Sequence, residues 1–156
     1  MISIKCVSVI IPVYNSSSTL IEIINRLKKT FNNGPLLEVM LVNDGSENSE
    51  TSKICLELAK EYSWVVYLDL SMNFGEHSAV MAGLNYCIGD CAVIMDDDCQ
   101  NSPEDLTLLI AELELGYDVV YTNYLIKNHS FLEPSWHSIV TFIILRNKCR
   151  QSYWGW

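Results

Sequence analysis

Positive charge is scarce in this sequence: 10 Lys and Arg stand against 19 Asp and Glu, a formal net charge of −9 with histidine neutral. Without a basic stripe to neutralise phosphates, nucleic-acid binding is excluded as a function class. Such a chain can hold a phosphorylated ligand only if a divalent cation stands between the two sets of negative charge. Closely spaced cysteine pairs are also missing. The six cysteines, at 6, 55, 87, 91, 99 and 149, are scattered through apolar segments, which excludes a disulfide scaffold or zinc ribbon and points to a reduced, cytoplasmic chain. Cys87 and Cys91 form a C-x3-C, but no matching Cys/His pair accompanies them, and they read as core cysteines. No apolar run approaches the roughly 18 residues needed to span a bilayer. Met1 to Val13, with one Lys and a short apolar run broken by Pro12, reads as a first strand and not as a signal peptide.

What is present is enough apolar sequence for one globular domain: 49% of 156 residues are hydrophobic and 19% charged, a balance that buries a core and excludes disorder. Short β-branched-rich runs at Val7–Ile11, Leu37–Val42, Trp64–Leu68, Cys91–Met95 and Asp118–Tyr121 read as buried strands. Helical patterns lie between them. Thr19-x-x-Glu22 has the form of a capping box, and Leu20, Ile23, Ile24 and Leu27 then share one helical face. Cys55, Leu58, Ala59 and Tyr62 repeat the pattern in a second helix, Ala79 to Tyr86 belong to a third, and Leu106, Leu109, Ile110 and Leu113 mark a fourth. Ser102 is placed to cap that fourth helix, with Pro103 at its first position. The alternation predicts an α/β fold, a mostly parallel sheet with helices on both faces. Ligands in such sheets bind beyond the carboxyl ends of the strands, near a switch in strand order.

The polar residues fall where that rule puts them. Pro12-Val13-Tyr14-Asn15-Ser16 follows the first strand, and Asn43-Asp44-Gly45-Ser46 follows the second. A loop aromatic can lie against a nucleobase, and a carboxylate at a strand end can accept hydrogen bonds from a ribose hydroxyl or a base N–H. Standing alone, N-D-G-S would be a common turn. The fourth strand runs into Asp96-Asp97-Asp98-Cys99-Gln100. Three consecutive carboxylates repel one another, at a cost in stability unless a cation or water relieves them. Strand alternation sends Asp96 and Asp98 to one side and Asp97 to the other, with Gln100 joining the first side if the extended geometry persists. Two carboxylates and an amide oxygen then suit Mg2+ or Mn2+, which can also hold a diphosphate. The plain alternative is a solvated loop whose acidic residues favour the N-terminus of the next helix.

The motifs V-S-V-I-I-P-V-Y-N, V-N-D-G-S, N-F-G-E-H-S-A-V-M-A-G-L and D-D-D-C-Q-N-S-P-E-D-L, in this order over residues 5 to 124, resemble family 2 glycosyltransferases of the GT-A fold, a Rossmann-like nucleotide-binding architecture. Among them, bacterial polyprenyl-phosphate sugar transferases are the most similar. The resemblance implies an enzyme that moves a sugar from a nucleotide diphospho-sugar, with UDP as the expected nucleotide, to a lipid-phosphate or glycan acceptor with metal assistance. It implies that Tyr14 and Asp44, flanked by Pro12 and Asn15, contact base and ribose, and that Asp96, Asp98 and Gln100 bind metal and diphosphate. Asp97, in a variable slot of the motif, takes a secondary nucleotide-binding place. Asn73, Phe74, Gly75 and His77 align with the donor-pocket segment, where Gly75 admits close backbone approach to a phosphate. His77, a lone histidine, reads as a surface or packing residue. Met72 stands where many relatives have an arginine. No residue is identified as the catalytic base.

The text reads like the family to Phe131, so residues 1–131 are expected to form an incomplete nucleotide-binding domain and 132–156 an atypical tail, read as frameshifted or prematurely truncated. Within it, apolar Ser138 to Leu145 is expected to form a helix patching the core edge. With Arg146, Lys148 and Arg150 behind it, the weaker alternative is peripheral contact with the inner face of a membrane. Three rival readings stand beside the transferase: a truncated pseudoenzyme that holds nucleotide and metal without transfer, a phospho-acceptor signalling domain, and an unfolded fragment with an exposed edge. The second groups its carboxylates after the first and third strands, which this chain does not do.

Overall fold

The computed structural model of the chain describes residues 3–100, 102–121 and 143–146. In chain order the elements are β1 (Cys6–Val13), α1 (Leu20–Thr30), β2 (Leu36–Asn43), α2 (Ser49–Glu61), β3 (Val65–Asp69), α3 (Glu76–Tyr86), β4 (Cys91–Ile94), a 3-10 turn (Pro103–Asp105), α4 (Leu106–Glu114), β5 (Val119–Tyr121) and β6 (Ile143–Arg146). They build one six-stranded sheet in the order β3-β2-β1-β4-β6-β5. The β1–β2, β1–β4 and β2–β3 pairings are parallel, and β6 is antiparallel to both its neighbours. The predicted α/β class with a mostly parallel sheet therefore holds.

β1 lies at the centre because nothing in it needs water: Val7 through Val13 are all buried, as a parallel strand covered on both faces requires. Its alternation divides the core. Val7, Val9, Ile11 and Val13 join Val39, Leu41 and Val93 under α1, α2 and α4, whereas Ile10 joins Met40, Val42 and Ala92 under α3. α3 approaches closely at Gly83, where a Cβ would meet Ile10 Cγ2 at 2.5 Å. Cys87 and Cys91 are buried, as expected of core cysteines. After β1 the chain lays β2 and β3 on one side, then crosses back to place β4 on the other. The strand order thus reverses between β1 and β4, and a crevice opens beyond their carboxyl ends.

Local expectations are corrected at three places. Thr19 stands at the N-cap of α1, but its side chain does not cap the helix, so the predicted capping box does not form. Its hydroxyl donates instead to the Asp97 carbonyl, a tertiary bond taken in preference to a cap that contributes about 1 kcal/mol. Pro103 does take the first helical position, yet Ser102 makes no side-chain cap; its hydroxyl faces Arg26 Nη2 at 3.5 Å. The third correction is β6. Residues 143–146, expected within a covering helix, form a strand between β4 and β5, pairing Val93 with Ile144 and Val120 with Ile144. A β-branched stretch beside an open β4 satisfies backbone groups on both sides, which a helix laid over that edge would leave unpaired. β6 comes from beyond residue 131 yet shares the sheet with Cys6–Tyr121; residues 132–142 and the end of the chain lie outside the described residues. No helix among the described residues is long and apolar enough to cross a membrane.

Candidate functional site

A cleft of about 430 Å³ occupies the crevice and is lined by Pro12, Val13 and Tyr14 after β1, Asp44 after β2, Asn73, Gly75 and Glu76 at the start of α3, and Asp96, Asp97 and Asp98 after β4. Four separate segments meet there because each follows the carboxyl end of a parallel strand. Tyr14 is exposed, leaving its ring open to a ligand. Asp44 is 3% exposed. Its amide donates to the Val13 carbonyl at 2.9 Å, and its Oδ1 accepts the Phe74 amide at 2.8 Å, so this carboxylate joins the β1, β2 and α3 sides of the cleft. Next to it Gly45 has φ +62, and a Cβ there would meet the Met72 carbonyl carbon at 2.3 Å and the Asn73 nitrogen at 2.5 Å. Only glycine fits that approach. Buried Asn43 holds the same loop from below, donating to Asp69 Oδ1 at 2.7 Å while its Oδ1 accepts the Ser46 amide at 3.1 Å.

Asn15 is placed differently from the predicted nucleotide contact. With φ +52 it turns to let its Oδ1 accept the Asn48 amide at 3.1 Å while its own amide donates to Ser46 Oγ at 2.9 Å. It ties the loop after β1 to the loop after β2 and does not line the cleft. Gly75, at φ +91 with nothing within 4 Å of a would-be Cβ, lies at the N-cap of α3 and lines the cleft. His77 is exposed.

The acidic run departs from simple strand alternation. β4 ends at Ile94, and Asp96, Asp97 and Asp98 all contribute to the cleft lining, with the Asp97 carbonyl accepting the Thr19 hydroxyl. Beyond them Cys99 adopts φ +60, which ends the extended geometry. Gln100 is exposed and outside the lining; its amide donates to Asp98 Oδ1 at 2.9 Å and so fixes that carboxylate. Burial first, then the charges of Asp98 and Glu76, hold Asp96 above the usual carboxylate range. Asp97 is also raised, mainly by burial, with a hydrogen bond from Ser16 acting against it and the charges of Asp98 and Asp96 adding to it.

Among the described residues, five carboxylates and no Lys or Arg line this cleft. Among the described residues no group of three or more His, Cys, Asp or Glu converges closely enough to hold a metal by itself. That pattern fits a hard divalent cation held by one or two carboxylates, with a phosphate supplying other oxygens. Glu76 is the lining residue that sequence reasoning missed. Its signal was its place directly after Gly75, where the helix opens.

Residues 8–155 match the family profile of Glycosyl transferase family 2. A curated relative, the undecaprenyl-phosphate 4-deoxy-4-formamido-L-arabinose transferase of Pseudomonas fluorescens, is 40% identical over 126 residues, covering 76% of this chain and 35% of the relative. The chain thus spans about a third of that protein's length. Among solved structures, the mannosyltransferase PcManGT of Pyrobaculum calidifontis in complex with GDP-Man and Mn2+ superposes with a TM-score of 0.66 at 19% identity, over 80% of this chain and 36% of that one. S. aureus TarS 1-349 in complex with UDP-GlcNAc gives a TM-score of 0.66 at 21% identity, over 90% of this chain and 45% of that one. At such identities the structural likeness establishes the fold, which is GT-A.

Proposed function

We propose, from the premise that this chain belongs to glycosyl transferase family 2, that its cleft binds the nucleotide diphosphate of a sugar donor through a divalent cation, Mg2+ or Mn2+. The protein to which it belongs then transfers that sugar to a lipid-phosphate or glycan acceptor. The observation that carries this reading is the charge of the cleft: among the described residues, five carboxylates and no basic side chain line it, at the switch point where this fold class binds ligands. A diphosphate placed there without a cation would meet only repulsion.

In this reading Tyr14 and Pro12 face the base, and the Asp44 oxygen not bonded to Phe74 accepts from a base or ribose donor. Gly75 leaves room for the diphosphate at the positive end of α3. Asp96 and Asp98 would hold the cation, with Asp97 beside them; Gln100, outside the lining, acts by fixing Asp98. When bound, the cation offsets the charge that builds on the departing nucleotide. The chain's own residues orient the donor and shield its diphosphate from water. The transferase name of the relative at 40% identity supports transfer over mere nucleotide retention, and a polyprenyl phosphate is the acceptor it points to. With such an acceptor, the protein works at the cytoplasmic face of a membrane.

Calorimetry with UDP, with and without Mn2+, tests the site. Binding that requires Mn2+ and is abolished by Asp98→Ala is expected. Binding that survives in that variant overturns the assignment, and radiolabel transfer to lipid-phosphate acceptors tests the reaction itself.

A further inference from the structure

Thr19 grips the acidic loop from both sides. Its hydroxyl donates to the Asp97 carbonyl, 78 residues away in sequence, and its own carbonyl accepts the Cys99 thiol at 3.9 Å. Asp98 is therefore the apex of a short turn clasped on each flank by one residue. The turn is closed internally by the Gln100 amide on Asp98 Oδ1 and by the left-handed Cys99. Thr19 Oγ1 also lies 3.2 Å from Ser16 Oγ. Both hydroxyl residues belong to the segment that runs on from Pro12 and Tyr14, on the other side of the cleft. The loop facing the nucleotide and the loop facing the cation are thereby joined through two hydroxyls.

We propose that Thr19 is a positioning residue: by holding the Asp97 carbonyl it aims Asp96 and Asp98 into the cleft and couples donor binding to cation binding. This rests on the donor-site reading above. A threonine that caps its own helix would leave the acidic turn free to relax outward, because its carboxylates repel one another. Thr19 makes the tertiary bond instead, and the carboxylates stay together before any cation arrives. Outer groups that orient metal ligands in this way typically govern metal affinity without touching the metal.

Two variants of the full chain test this. Thr19→Val keeps the shape and removes the donor, and Thr19→Ser keeps the donor. In UDP calorimetry at graded Mn2+, Thr19→Val is expected to raise the Mn2+ concentration needed for half-maximal binding by roughly 10- to 100-fold, with Thr19→Ser close to the parent. In the absence of ligand, hydrogen exchange in the peptide spanning Met95 to Ser102 is expected to be faster in Thr19→Val alone. An unchanged Mn2+ requirement or unchanged exchange in Thr19→Val overturns the proposal, as does a Thr19→Ser variant as impaired as Thr19→Val. The exchange readout needs no ligand, so the two claims fail separately. A parent chain that binds no Mn2+–UDP overturns the donor site and the aiming role with it, even where faster exchange identifies the clasp as a loop staple.

Discussion

Replacing Gly45 by alanine probes the joint that holds the nucleotide side of the cleft together. Gly45 has φ +62, and a Cβ would meet the Met72 carbonyl carbon at 2.3 Å, the Asn73 nitrogen at 2.5 Å and the Met72 Cα at 2.6 Å. All three are backbone atoms, so no rotamer change relieves the contact. Left-handed backbone costs an L-residue roughly 1–2 kcal/mol, and overpacking of this kind typically adds about 1–3 kcal/mol. Gly45→Ala should therefore destabilise the fold by about 2–5 kcal/mol, a fall in melting temperature on the order of 10 °C for a domain of this size. Gly75→Ala is the built-in control: its φ of +91 and ψ of 150 also disfavour alanine, but nothing lies within 4 Å of the added atom. It should cost only the backbone share, about 1–3 kcal/mol for a conformation essentially reserved to glycine. Urea denaturation of parent and both variants measures the difference. The shift forced on residues 72–73 also draws the Phe74 amide away from Asp44, so Gly45→Ala should weaken Mn2+-dependent UDP binding even at temperatures where it is folded. A Gly45→Ala chain no less stable than Gly75→Ala would refute the close approach of these two loops.

The acidic residues give a trade-off that can be measured. Asp96 is raised chiefly by burial and then by Asp98 and Glu76, so in the folded state its charged form is disfavoured and stability is lost as pH rises from the usual carboxylate value through the raised one. Asp96→Asn should thus stabilise the metal-free chain at pH 7, by an increment of about 0.5–2 kcal/mol, while abolishing Mn2+-dependent binding. Its thermal advantage should shrink as pH falls and vanish below the ordinary aspartate value of about 3.9, where the carboxyl is protonated in folded and unfolded chains alike; an advantage that persists there argues against charge as the cause. Protons should also compete with Mn2+ at a higher pH than for ordinary carboxylates, and Glu76→Gln, which removes one of the charges that raise Asp96, should move the onset of that competition downward, which a pH series of Mn2+ titrations reads directly. Glu76→Lys reverses one charge at the lip of the cleft and should strengthen metal-free UDP binding by on the order of tenfold at low salt, an effect lost at high ionic strength. Equal metal-free binding in parent and variant would remove Glu76 from the donor site.

Much of this arrangement was legible in sequence because it follows from local pattern. The unbroken apolar run of β1 signals a strand buried on both faces, and its central place fixes where the crevice opens, so Pro12, Tyr14, Asp44 and the acidic run were found by their positions after strands. What escaped depends on distant partners. The spacing Thr19-x-x-Glu22 is locally a capping box, and nothing in it announces a carbonyl 78 residues away that takes the hydroxyl. Strand alternation placed Gln100 beside Asp96 and Asp98 on the premise of extended backbone, and a left-handed cysteine at 99, which no residue preference signals, ended that premise. The apolar stretch ending in Ile143–Arg146 was read as helix because a short apolar run has no period that separates the two states; the open flank of β4 decided it.

The same geometry explains why cation and donor should depend on each other. Asp96, Asp97 and Asp98 are held together by the Thr19 clasp without a compensating positive charge in the lining among the described residues. Arg26 on α1, which also faces Ser102 at the end of this loop, is committed to Glu104, with Nε and Nη2 at 3.0 and 2.6 Å from its two carboxylate oxygens. It braces the far end of the loop and leaves the cleft acidic. With no ready-made group of three ligands among the described residues, two carboxylates alone hold a divalent cation weakly, and a diphosphate alone is repelled. Each supplies what the other lacks, oxygen ligands in one case and charge neutralisation in the other. By linkage, whatever factor the cation contributes to donor affinity the donor must return to cation affinity. On the donor-site proposal, such a cleft should fill only when both are present and should lose the cation as the nucleotide leaves, which Mn2+ titrations with and without UDP read.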